Sequence, residues 1–193
     1  MGISAILMVL KKRNNEKEIR ESFDESVANA NKCLEMPLLE LSSLSDSDLF
    51  LAISEKIDEK VYSFDKASEG IASLNDAQKL LFALNTFETE VNDGGLCQFF
   101  VNSSRAVAPF ISEYFDKLGA DEHKTLFDGF VTSNGIDLKD LESFSVASAE
   151  EFVNCKNRYP FGEYDDKFCQ AKPIRQYLEA FVRANLEELN TLS

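Results

Sequence analysis

The chain has 193 residues, 44% of them hydrophobic, with 16 Phe and no Trp, enough apolar material for one Phe-rich core. Only 4 Pro and 8 Gly argue against a many-turned β-sandwich. The formal net charge of -14 is unevenly spread, because residues 21–166 hold 29 acids against 11 bases while residues 1–20 and 167–193 are slightly basic. A centre of that sign repels nucleic acid and anionic membranes and attracts basic surfaces, so direct DNA or RNA binding is not expected.

The chain opens with an apolar run, ISAILMVL, followed by KKR. A secretory signal carries its positive charges before the apolar stretch, and a spanning helix needs about 20 apolar residues, so neither pattern fits. The Met-Gly start lacks Ser or Thr at position 6, which a myristoylation signal requires. Residues 1–20 are therefore read as an apolar/basic segment, packed or peripheral, without stable membrane insertion. Residues 21–193 are read as one all-α domain. Cys33, Cys97, Cys155 and Cys169 fall in no Cys-x-x-Cys spacing. Reduced thiols in a cytoplasmic protein are expected, with no disulfide framework and no zinc.

Nearly every segment carries a helical period. Ile19, Phe23, Val27 and Ala30 form one face of an amphipathic helix over residues 16–35, with Pro37 marking its end region. Ser45 or Ser47 caps a second helix, whose stripe is Leu49, Ile53, Ile57 and Val61. Asn75 or Ser73 caps a third, with Leu80, Leu81, Leu84 and Phe87 facing the core. A Gly-Gly break follows, then a short helix near 95–103 and a longer one near 106–118, with Pro109 in its first turn. Gly119 is a C-cap, and residues 122–133 form the next helix. Residues 136–162 are looser, with a short helix from Ser148 and a turn at RYPFGEYDD. The last helix starts after Pro173 and runs to about Leu189. The fold expected is all-α, a single globular domain of seven to nine helices.

Nothing in the sequence assembles a catalytic site, and none is expected. His123 is the only histidine, between Glu122 and Lys124 on a helix face read as exposed. There is no phosphate loop and no dinucleotide fingerprint, and no cofactor is implied. Glu163, Asp165 and Asp166 form an acidic turn without the spacing of a calcium loop; as a divalent-cation site they define only a minor reading, a small metal-dependent enzyme.

The unusual stretch is ETEVNDGGLCQFFVNSS, residues 88–104. Its simplest physical reading is a corner. Gly94 takes a left-handed conformation that ends one helix, and Gly95 lets the next start close by. Asn92, Asp93, Gln98 and Asn102 satisfy backbone groups at the two helix ends, while Phe99 and Phe100 anchor the turn.

This stretch, with the later LGAD and YDDKF, resembles the DNA mimic protein 19-like family. Glu90, Gly94, Gly95, Gln98, Phe99, Phe100, Asn102, Gly119, Ala120, Asp166 and Phe168 match its pattern position by position. Asp93 stands where Asn is common and Leu96 where an aromatic is common. The match covers residues 75–170, about half the chain, and has the character of a fold signature. The resemblance implies an all-α protein, often a homodimer, whose best-known member presents acidic side chains in a DNA-like array to the DNA-binding face of a transcription factor. The implied partner is a basic DNA-binding protein.

Acids three or four residues apart on a helix have Cβ atoms roughly 5–6 Å apart, close enough to follow a row of phosphates. The candidate partner-binding rows are Glu55, Asp58 and Glu59; Glu113 and Asp116 followed by Asp121 and Glu122; and Glu163, Asp165 and Asp166. Lys56, Lys60, Lys117 and Lys124 interrupt them. An alternative is an immunity- or inhibitor-type protein against a basic toxin or nuclease, anchored by Phe161 and Tyr164 in an exposed turn.

Overall fold

A computed structural model describes residues 36–191. The N-terminal segment 1–20, the helix expected over 16–35 and Cys33 lie outside the described residues. Among the described residues there are ten α-helices and no strand. They are α1 (Leu38–Ser42), α2 (Asp46–Tyr62), α3 (Ala67–Ser73), α4 (Asp76–Val101), α5 (Ala108–Leu118), α6 (Asp121–Ser133), α7 (Ala149–Arg158), α8 (Phe161–Gln170), α9 (Ile174–Ala184) and α10 (Leu186–Leu189). Short 3-10 turns cover Ser103–Val107 and Glu142–Phe144. The all-α expectation holds.

The helix starts follow from local chemistry. Ser45 Oγ accepts the Asp48 N–H at 3.2 Å, and Ser148 Oγ accepts that of Glu151 at 3.2 Å. Asn75 and Gln78 form a capping box, each side chain accepting the other's backbone N–H at 2.8 and 3.0 Å. Gly119, at φ 70°, closes α5: Ala120 N–H reaches Phe115 O at 2.9 Å and Gly119 N–H reaches Asp116 O at 3.1 Å. That tight reversal lays α6 back against α5.

Helices α1 and α3 were not read from the sequence, and two segments that were read differ. RYPFGEYDD is not a turn, because α8 begins at Phe161 and runs through it. Phe161 is 2% exposed, packed 5.2 Å from the Phe130 ring, so it is not a surface anchor; Tyr164 is half-buried, its ring 5.2 Å from Phe130. Burying a phenylalanine outweighs the turn-forming tendency of Pro160 and Gly162. Separately, the final helix is interrupted at Asn185, giving α9 and α10.

The core is aromatic. Phe87, on α4, meets Phe99, Phe115, Phe127 and Phe168 edge-on at centroid distances of 4.9, 5.5, 5.7 and 5.5 Å. Such pairs add roughly 0.5–1.5 kcal/mol each beyond the area they bury. One ring thereby joins α4, α5, α6 and α8. Arg183 ties α9 to the start of α2, donating from Nε to Asp46 Oδ1 at 2.7 Å and from a second nitrogen to Ser42 O at 3.0 Å.

Phe87→Ala is expected to cost about 3–5 kcal/mol in urea unfolding, while Phe110→Ala, at a position 46% exposed on α5, costs below about 1 kcal/mol. Equal effects would contradict the placement of the core.

Candidate functional site

The Gly-Gly stretch lies inside α4. Gly95 has φ 78° and ψ -178°, a conformation reserved almost entirely for glycine, and there the helix breaks and restarts. The positive φ is at Gly95 and not at Gly94, as the sequence suggested. The restart leaves an orphan donor, the Leu96 N–H, which Asp165 Oδ1 of α8 accepts at 2.8 Å. A Cβ on Gly95 would overlap the Asp165 carboxylate. Gly95 therefore serves two constraints at once: a left-handed backbone and room for a capping acid from another helix.

Glu90 closes the other side of the break. Its Oε2 accepts from Gln98 Nε2 at 2.8 Å and from Asn102 Nδ2 at 2.9 Å. A Cβ on Gly94 would overlap the Gln98 side chain, so Gly94 provides the space through which Gln98 reaches back. The amides thus hold a carboxylate instead of the expected backbone groups, and Asn92 and Asp93 lie exposed beside them. Phe99 and Phe100 are fully buried beneath the corner. The acid that caps it is Asp165, one residue before the Asp166 that the sequence pattern aligned. That exchange was invisible locally, because neighbouring acids are equivalent until α8 is placed against α4.

Glu88 repeats the device. Its Oε1 accepts the Arg175 N–H in the first turn of α9 at 2.7 Å, and Arg175 Nε stands 3.8 Å from Oε2. Burial pushes the carboxyls of Glu88 and Asp165 up, and in each the accepted N–H opposes the shift. His123 is also buried, at 1% exposure, with ring centroids of Phe115, Tyr177 and Phe168 at 5.5, 5.9 and 6.1 Å; the exposed position expected for it is corrected. Burial draws its pKa below the ordinary value, against Glu122 and a backbone hydrogen bond to Lys172. Its flanking charges disguised an inward-facing position one turn from Phe127.

Of the ten acids singled out for partner binding, Glu55, Glu59, Glu113, Asp116, Asp121, Glu122, Glu163 and Asp166 are exposed. Asp58 and Asp165 are half-buried, and Asp165 is committed to Leu96. Glu163 pairs with Lys167 at 2.7 Å, so the 163–166 acids do not converge, and among the described residues no group of three His, Cys, Asp or Glu is placed to hold a metal. On α5 and α6, Glu113 pairs with Lys117 at 2.7 Å, and Lys124 bonds Asp128 at 2.7 Å and Ser112 Oγ at 3.2 Å. The hydrogen bond to Asp128, and behind it the charges of Asp128, Asp116 and Asp121, raise the Lys124 pKa. On α2, Lys56 turns inward to Asn190 Oδ1 at 3.0 Å and does not interrupt the acids there, contrary to the sequence reading. Cys97 and Cys155 are buried free thiols and Cys169 is an exposed one.

The arrangement defines a class: an acidic helical domain whose central helix is broken at a glycine and recapped by an acid from another helix. The chain belongs to the DMP19-like protein family, whose sequence pattern matches residues 72–185. Neither a curated protein nor a solved structure matches it. No helix among the described residues is long and apolar enough to cross a membrane.

Gly95→Ala should cost about 3 kcal/mol, through backbone strain and displacement of Asp165, and Asp165→Ala about 2 kcal/mol through the orphaned Leu96 N–H. Because both lose the same bond, the double variant should be less destabilised than the sum by about 1 kcal/mol or more. Additivity in urea unfolding would contradict the shared contact.

Asp58 gives a pH prediction. Burial, then the charge of Glu55, raises its pKa from 3.8 to about 6. The folded value exceeds the unfolded one, so its contribution is full below 3.8 and is lost as pH rises through about 6. Asp58→Asn should therefore gain on the order of 2 kcal/mol at pH 7.5 and little at pH 3.5, read from paired denaturation curves. A gain independent of pH would contradict it.

Proposed function

We propose that this protein is a non-enzymatic DNA mimic, which occupies the DNA-binding surface of a basic partner such as a transcription factor. It acts in the cytoplasm, as a homodimer, without cofactor. The observation that carries the reading is the α5–α6 face. Glu113, Asp116, Asp121 and Glu122 are all exposed on two consecutive helices, and the two lysines among them leave that face acidic. The tight reversal at Gly119 brings the two helices into contact, which would let these exposed carboxylates act together.

Carboxylates placed this way offer Lys and Arg side chains the acceptors that phosphates offer in a duplex. Such a field speeds association and is screened by salt, with a Debye length of about 8 Å at physiological ionic strength. Membership in the DMP19-like protein family is consistent with the reading. The inhibitor reading has lost its anchors, since Phe161 is buried and Tyr164 half-buried. The metal-enzyme reading draws less support, since Asp165 accepts the Leu96 N–H and Glu163 pairs with Lys167.

The test is affinity capture from native lysate with stepped salt elution. The comparison is a variant carrying Glu113→Lys, Asp116→Lys, Asp121→Lys and Glu122→Lys. The wild type should retain a DNA-binding protein that elutes at moderate salt and is displaced by duplex DNA. The variant should retain none, while its unfolding free energy stays within about 1 kcal/mol of wild type, as for surface changes generally. Recovery of the same proteins by both baits would rule out this face.

A further inference from the structure

Between α1 and the junction of α9 with α10 the surface opens into a groove of about 770 Å³. Leu38, Leu39, Ala184 and Leu186 give it apolar walls, and the exposed Glu187 and Glu188 add two carboxylates. Leu39 is 83% exposed and Leu38 39%, on a helix that sends only Leu41 into the core. Apolar side chains gathered in a concave wall mark a surface that something covers, whereas single exposed ones do not. Arg183, also in the wall, is spent on Asp46 and on the carbonyls of Ser42 and Leu44, so the free charge of the groove is negative.

The nearest chain outside the described residues is the N-terminal one. Lys56 Nζ donates to Met36 O at 3.3 Å and to Asn190 Oδ1 at 3.0 Å, so the described chain begins beside the residue that ends α10. Both α1 and α10 fall outside residues 72–185, which carry the family pattern, so the groove is not part of the shared core.

The chemistry of the N-terminal sequence is complementary to the groove. Ile3, Ile6, Leu7 and Leu10 recur with a helical period, and Lys11, Lys12 and Arg13 follow directly. Residues 11–35 would reach about 80 Å if extended, or about 30 Å as a coil, and either length suffices to return the apolar run to its own groove. A tether of this kind supplies an effective concentration near the millimolar range, so a modest contact area is enough.

We propose that residues 3–13 dock in this groove of the same chain. Ile3, Ile6, Leu7 and Leu10 cover Leu38, Leu39 and Leu186, while Lys11, Lys12 and Arg13 meet Glu187 and Glu188. The tether favours the chain's own segment over that of a second copy. An anionic membrane, the other surface an apolar and basic segment could seek, is repelled by a body of this net charge.

The test places p-benzoylphenylalanine in the full-length chain at Leu39 or at Ala184, exposed positions on the two walls, and at Leu51, an exposed position outside the groove, as control. Equal amounts of unlabelled and nitrogen-15-labelled chains are mixed, irradiated and digested, and the joined peptides are read by mass spectrometry. Both groove positions should join the peptide that contains Ile3–Leu10, within single-isotope chains, at a yield at least about tenfold above that from Leu51. Leu7→Asp with Leu10→Asp should remove that product while the far-ultraviolet circular dichroism stays unchanged. Mixed-isotope products would assign the groove to a second copy and overturn the proposal. So would a product with any other segment, a yield equal to that from Leu51, or one unchanged in the double variant. Loss of the product on adding phosphatidylserine vesicles would give the segment to membranes and overturn it as well.

Discussion

The bond from the Leu96 N–H to Asp165 holds together the two halves of the longest helix among the described residues. A helix that breaks in a core leaves unpaired donors at its restart, and burial makes each of them costly. Here the donor is met from α8, across 69 residues of chain. The geometry of that meeting dictates glycine at position 95, because a side chain would occupy the place of the carboxylate. The direction of the restarted helix then sets Phe99 and Phe100 against Phe87, Phe127 and Phe130, and so fixes where α5 and α6 lie.

Acids in this chain do two different jobs. Glu88, Glu90 and Asp165 are structural: each accepts N–H groups from another turn or another helix, and the two that are most shielded are pushed toward the neutral form by burial. On α5 and α6, Glu113, Asp116, Asp121 and Glu122 remain exposed, while Asp128 is half-buried against Lys124. A high count of acids is therefore poor evidence of an acidic binding surface until those spent on capping have been set aside. In this protein the separation removes Asp165 from its row and leaves the four carboxylates around the Gly119 reversal intact.

Local features were legible in the sequence. The stripes of α2 and the first half of α4, the caps at Ser45, Asn75 and Ser148, and the left-handed Gly119 all depend on neighbours within four residues. The corner at residues 94–95 was legible as a corner, but which glycine turned and which acid capped it depended on α8. His123 and Phe161 were misplaced for the same reason. Charged or turn-forming neighbours describe the surface a residue would have if its segment stood alone, and both side chains are buried by distant elements.

The most direct measurement is native-state hydrogen exchange at the Leu96 amide, with urea added in small steps. If the Asp165 bond locks the two halves of α4 and α8 into one unit, Leu96 should exchange only through global unfolding. Its exchange free energy should then fall with urea along the same slope as the whole protein. Exchange at low free energy with no urea dependence would mean that the bond opens by local fluctuation. The corner would then be a loose bend, and the account of how the core and the acidic face are positioned would fail.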